Sequence, residues 1–200
     1  MRSSRVIELV QALGEAAKRG ALFYNVDRAL KTDIAARMGG YAADLDGLDD
    51  AAWAALKGEA VKRFARLRRE GVRALFDLLN EAKGYSYLKS LGCRDIAFVA
   101  HTYDRKSPDL SATLDGRQVL CEVKTVEISG EAPETFIAEK FTKIMNEAVA
   151  QLGPGHQRKI VYVVLRGRMP QDLADAKARL DLFLAAAPFP DVEIKTCVGI

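Results

Sequence analysis

An Asp115-Gly116 dipeptide stands between two stretches of alternating residues, Asp109 to Leu114 and Gln118 to Val126. Asp-Gly suits the two-residue turn whose twist matches paired strands, so the two stretches read as an antiparallel hairpin. The turn also sets the register. If the strands close symmetrically about it, Leu114 pairs with Arg117, Thr113 with Gln118, and Asp109 falls opposite Glu122. Directly facing residues point to one side of a sheet with Cβ atoms ~5 Å apart. A slip of one residue would separate the two carboxylates.

Facing carboxylates repel, which is a poor choice for stability alone. A divalent cation between them reverses the argument, since Mg²⁺ favours one or two carboxylates with water and substrate phosphate. Lys124 lies two residues beyond Glu122 and so emerges on the same strand face. An ammonium there can orient a metal-bound water or stabilise charge growing on a phosphate. Val119, Cys121 and Val123 point the other way and are available for a core. The plain alternative makes Asp109 a strand start and Glu122 with Lys124 a solvated face.

Glu-x-Lys by itself means little. It occurs at Glu81-Ala82-Lys83, Glu122-Val123-Lys124 and Glu193-Ile194-Lys195. Asp191 precedes the last copy so closely that no hairpin fits between them. Only the middle copy has a strand able to present an aspartate across from it.

The remaining chain supplies the surroundings. Residues 1–58 read as an Ala-rich helical extension, with Asp49 or Asp50 as a helix cap before Trp53 and Leu56. From Glu59, residues Val61, Phe64, Val72, Leu75, Phe76 and Leu79 keep helical spacing, Gly84 marks a possible kink, and Gly92 fits a stop. Ile96 to His101 reads as a strand ahead of the hairpin, and a helix is expected from Glu134 to Leu152. The apolar run Ile160 to Leu165 suits a buried central strand. A helix from Gln171 to about Ala187 and a strand from Val192 to Val198 close the chain. The fold class is therefore α/β, a mixed sheet with helices packed on it, and residues 59–200 form its main domain.

Composition narrows the functional classes. Hydrophobic residues make up 49% of the 200 and charged residues 28%, which excludes a disordered tail, a collagen-like repeat and a disulfide mini-protein. Thirty basic against 27 acidic residues leave a net charge of +3, a total that can hide a local patch. Three cysteines without metal-ligand spacing read as reduced thiols in a cytoplasmic protein, and no apolar stretch reaches membrane-spanning length. His101 and His156 share no ligand spacing, so no zinc centre is expected. Phosphate-binding glycine motifs and the GxSxG elbow are absent.

Ser107-Pro108-Asp109, twelve intervening residues, then Glu122-Val123-Lys124 resembles the signature of the PD-(D/E)xK phosphodiesterase superfamily. That superfamily includes restriction endonucleases and Holliday junction resolvases. The resemblance covers about half the chain. It implies a restriction endonuclease-like αβββαβ core, here with an additional C-terminal helix and strand and the N-terminal helical extension. It further implies Mg²⁺- or Mn²⁺-dependent hydrolysis of nucleic acid, with DNA the expected form. Asp109, Glu122 and the Val123 carbonyl would bind the metal, and Lys124 would position the attacking water. Glu81, with Leu88 and Gly92 following, resembles the helix glutamate of resolvase-like members, and Glu70 is the alternative.

Many relatives use a Gln or Lys of the next helix near the phosphate, and Lys140, Lys143, Asn146 and Gln151 are candidates. Arg66, Arg69, Arg73, Lys143, Arg166 and Arg168 are candidate nucleic-acid contacts; a solvated helix face is the alternative for the first three. A homodimer is one implied form, because many such endonucleases pair to cut both strands. A non-catalytic member of the same fold, binding nucleic acid or protein, is the alternative function.

Overall fold

The computed structural model describes residues 4–18, 35–66, 71–100, 107–128, 134–155, 157–167, 170–186, 189 and 191–199. The chain divides into two units, Met1–Tyr87 and Leu88–Ile200.

The first unit is helical where it is described. It contains α1 (Ser4–Lys18), α2 (Ala35–Met38), a 3-10 turn (Gly39–Tyr41), α3 (Ala42–Asp46), α4 (Asp50–Arg66) and most of α5 (Gly71–Ser90). Asp49 caps α4: its Oδ1 accepts the Ala52 N–H at 2.7 Å, which satisfies a donor that the helix start leaves open. Its Oδ2 accepts the Tyr85 hydroxyl at 3.0 Å. Arg5 donates to the carbonyls of Leu45 and Leu48 at 2.8 and 2.6 Å, where α3 has run out of its own donors. Leu9 and Leu13 of α1, Leu45 of α3 and Leu56 of α4 are buried.

The expected boundary after residue 58 falls inside α4, and the units divide instead between Tyr87 and Leu88. Gly58 does not stop the helix. Nothing lies within 4 Å of where its Cβ would be, so it costs only the ~1 kcal/mol of a helical glycine. Nor does Gly84 divide α5, which runs unbroken to Ser90.

The second unit is mixed α/β. After α5 come β1 (Arg94–Phe98), β2 (Leu110–Leu114), β3 (Arg117–Ile128), α6 (Glu134–Leu152), β4 (Arg158–Gly167), α7 (Pro170–Ala186) and β5 (Glu193–Val198). Gly92, at φ 82°, ends α5: its N–H reaches the Lys89 carbonyl, and the Cys93 N–H reaches that of Leu88. This paired closure favours glycine at the left-handed position.

The described strands form one sheet in the order β1-β2-β3-β4-β5. The first three are antiparallel neighbours, while β4 and β5 run parallel to β3 across the helical connections α6 and α7. The hairpin closes in the expected register, from Leu114 opposite Arg117 to Leu110 opposite Cys121. Asp115 and Gly116 both have positive φ, as the turn requires. Ile160–Leu165 of β4 are all buried, between two parallel neighbours.

Apolar residues of α6 at helical spacing, Phe141, Met145, Ala148 and Leu152, pack with Leu173 and Leu180 of α7 against Val126, Val161, Val163 and Leu165. Strand β1 begins two residues earlier than expected, because a bulge between Arg94 and Ala97 interrupts its alternation. No described helix is long and apolar enough to cross a membrane.

Candidate active site on the second and third strands

Asp109 immediately precedes β2 and is 7% exposed. Its carbonyl accepts the Val99 N–H at 2.9 Å, tying it to the chain beyond β1. Its Oδ2 accepts the Val123 N–H at 2.7 Å, so the carboxylate reaches across to the backbone of β3. One step past the Leu110–Cys121 pair, the same register sets Asp109 across from Glu122.

Glu122 is 1% exposed, which excludes the solvated-face alternative for this residue. Its Oε1 lies 2.7 Å from Lys124 Nζ. Lys124 in turn donates to Gln151 Oε1 near the C-terminal end of α6. Gln151 is thus the member of Lys140, Lys143, Asn146 and Gln151 that meets the lysine. Lys140 instead donates to the Glu127 carbonyl at 3.1 Å, and Lys143 and Asn146 are exposed.

The strand's two faces are less distinct in burial than its sequence alternation implies. Val119 and Cys121 are fully buried on one face, yet Leu120, Glu122, Lys124 and Val126 share the other face with the apolar side of α6. Cys121, next to Glu122 along β3 and on the strand's other face, is a fully buried thiol. Burial pushes its pKa strongly upward, and the Asp109 and Glu122 carboxylates add to the shift.

The donor set fits a hard divalent cation. Asp109 and Glu122 supply carboxylate oxygens, and Lys124 provides one positive charge against two negative ones. Mg²⁺ and Mn²⁺ accept such oxygen ligands while keeping several waters. The Val123 main chain meets the site through its N–H.

Glu81 lies on α5 in the first unit and is 8% exposed. Arg63 of α4 lies 3.7 Å from its Oε1 and also bonds Glu59 at 3.0 Å. Lys83 pairs with Asp44. Among the described residues no three His, Cys, Asp or Glu side chains gather as a metal-holding group. The site assembled by the second unit is therefore two carboxylates, one lysine and one glutamine.

The candidate nucleic-acid contacts among the described residues belong to α4, α5, α6 and β4. Arg166 is largely buried, 3.9 Å from Glu127, and Lys143 is exposed on α6. Arg66 ends α4 and Arg73 lies in the first turn of α5. Glu70, Arg69, His101, His156 and Arg168 lie outside the described residues. Two features escaped the sequence reading: the Val123 N–H on Asp109, and Arg63 on Glu81. The first had a signal, since the hairpin register already places residues 109 and 123 one step apart. Comparison with family models, with curated proteins and with solved structures returns no match.

Proposed function

We propose that this protein is a divalent-metal-dependent nuclease with a restriction endonuclease-like αβββαβ core, acting on nucleic acid, with DNA as its expected form. The observation that carries this reading is a buried Glu122 paired to Lys124, beside an Asp109 carboxylate anchored on the adjoining strand. A site made only for stability gains little from gathering two carboxylates around one lysine, because buried charge is costly to desolvate.

In this reading Asp109, Glu122 and the Val123 carbonyl hold Mg²⁺ or Mn²⁺. The metal, when bound, acidifies a water and stabilises charge on the phosphate. The chain's own residues do the rest. The Val123 N–H fixes the direction of the Asp109 carboxylate before anything binds. Glu122 and Gln151 engage two of the three ammonium donors of Lys124, which leaves the third for a water or a phosphate oxygen. Holding a donor in place beforehand lowers the reorganisation needed when charge develops.

The test is cleavage of single- and double-stranded DNA by the purified protein with Mg²⁺ or Mn²⁺. Asp109→Ala/Glu122→Ala is expected to remove it. Equal cleavage by that double variant overturns the reading. A second reading, a non-catalytic binding member of the same fold, draws on the lack of a third gathered carboxylate among the described residues. Calorimetry separates the two: Mn²⁺ binding that disappears in Asp109→Ala favours the nuclease.

A further inference from the structure

The bulge in β1 has a specific geometric effect. Arg94 pairs with Thr113 and Ala97 with Ser111, so two residues of β1, Asp95 and Ile96, stand against one of β2, Ala112. In regular alternation residues three apart, such as Arg94 and Ala97, point to opposite faces. With the bulge, both share the face of Ser111 and Thr113. Asp95 absorbs the difference at φ 51°, in the left-handed region that aspartate enters more readily than most residues.

That face also carries the chemistry. Thr113 pairs with Gln118 and Ser111 with Leu120, so the next row in the same alternation holds Asp109 and Glu122. Helices α6 and α7 pack on β3, β4 and β5. Beyond them, Arg94, Ala97 and Gln118 are exposed, and Ser111 and Thr113 half-exposed. The reverse face of the same ribbon is closed: Ile96, Leu110 and Ala112 are buried. A small, hydroxyl-bearing surface thus runs from the carboxylates to one arginine. The Arg94 side chain makes no hydrogen bond or ion pair among the described residues.

We propose that this open face of β1 and β2 is a track for the sugar–phosphate backbone of a polynucleotide, with Arg94 as its distal phosphate contact. The proposal rests on the nuclease reading for its substrate class. Complementary charge selects the occupant: a free guanidinium at one end, a metal-holding pair at the other, and polar side chains able to bond phosphate between them. Four strand residues separate the Asp109 and Thr113 rows, ~14 Å at strand rise. Measured along a duplex axis, that span covers about four phosphate repeats of one strand. Arg94 therefore sets how far from the cut the backbone must extend.

Fluorescence anisotropy of a labelled duplex oligonucleotide in EDTA, over a salt series, tests this without cleavage. Arg94→Gln is expected to weaken binding roughly five-fold at low salt and to reduce the slope of log K against log salt by about one. Arg94→Lys restores the slope. Lys195→Gln, an exposed cation on the opposite face at β5, matches the unmodified protein. Circular dichroism melts check that each variant is folded. An unchanged slope in Arg94→Gln overturns the track, as does an unmodified protein that binds no duplex. If the slope changes but Asp109→Ala/Glu122→Ala cleaves like the unmodified protein, the nuclease reading fails and the Arg94 contact stands.

Discussion

Lys124 Nζ lies 2.7 Å from Glu122 Oε1, two residues back along the same strand, and the two side chains differ sharply in exposure, 22% against 1%. The lysine is the route by which a sealed carboxylate reaches solvent charge. Removing it leaves the carboxylate buried without its cation. Lys124→Met is therefore expected to lower the urea unfolding free energy in EDTA by about 3 kcal/mol. Glu122→Gln/Lys124→Met recovers most of the loss. A Lys124→Met loss under about 1 kcal/mol, well below the range for breaking a buried pair, means that other groups hold Glu122.

Gln151 holds the same ammonium from α6. Gln151→Leu deletes an acceptor to a charged donor and is expected to cost about 1 kcal/mol, read in urea unfolding or thermal melts. Gln151→Glu keeps an acceptor oxygen and stays closer to the unmodified protein. If Gln151→Leu is as stable as the unmodified protein, the contact does not hold the lysine.

Much of this arrangement was legible because one turn fixes it. Asp115-Gly116 admits a single tight register, and that register places Asp109, Glu122 and Lys124 without knowledge of the remaining fold. Helix α6 was equally plain, its apolar residues recurring on one face from Phe141 to Leu152. The start of β1 was not, because Asp95 breaks period two with a backbone conformation rather than with a turn residue. The unit boundary was not legible, because the helical pattern beginning at Glu59 is the second half of α4, which starts at Asp50. Gln151 could not be chosen over its neighbours because helical spacing tells which face a residue takes, not which strand residue it meets.

The cysteines give a test independent of function. Burial raises the Cys93 and Cys121 thiols above their ordinary value of 9.0, whereas Cys197 is only partly covered. Iodoacetamide at pH 8 is expected to label Cys197 in the folded protein and to spare the other two until urea unfolds it, as mass spectrometry would show. Above about pH 9 the unfolded chain loses thiol protons that the folded chain keeps. Unfolded protein then binds fewer protons, so stability, fully present below that pH, falls as pH rises. Cys121→Ala should reduce this alkaline slope; an unchanged slope would place its origin elsewhere.

Asp95 tests the bulge itself. A β-branched side chain fits the left-handed region poorly, so Asp95→Val should lose about 1–2 kcal/mol in urea. Asp95→Gly adopts the conformation freely and should unfold close to the original midpoint. Equal stability of Asp95→Val and the unmodified protein would mean that the bulge is not held at this residue.

The antiparallel hairpin has a kinetic consequence as well. Asp109 and Glu122 are separated by one tight turn, so bringing them together closes a short loop at small entropic cost. Pairing β3 with β4 must wait for the whole α6 connection, a much longer closure. The mutually repelling charges therefore belong to the part of the sheet able to form soonest, while Gln151 arrives with the later step. Refolding followed in real time should find the hairpin's formation accelerated by salt, which screens the two carboxylates, and the docking of α6 far less so.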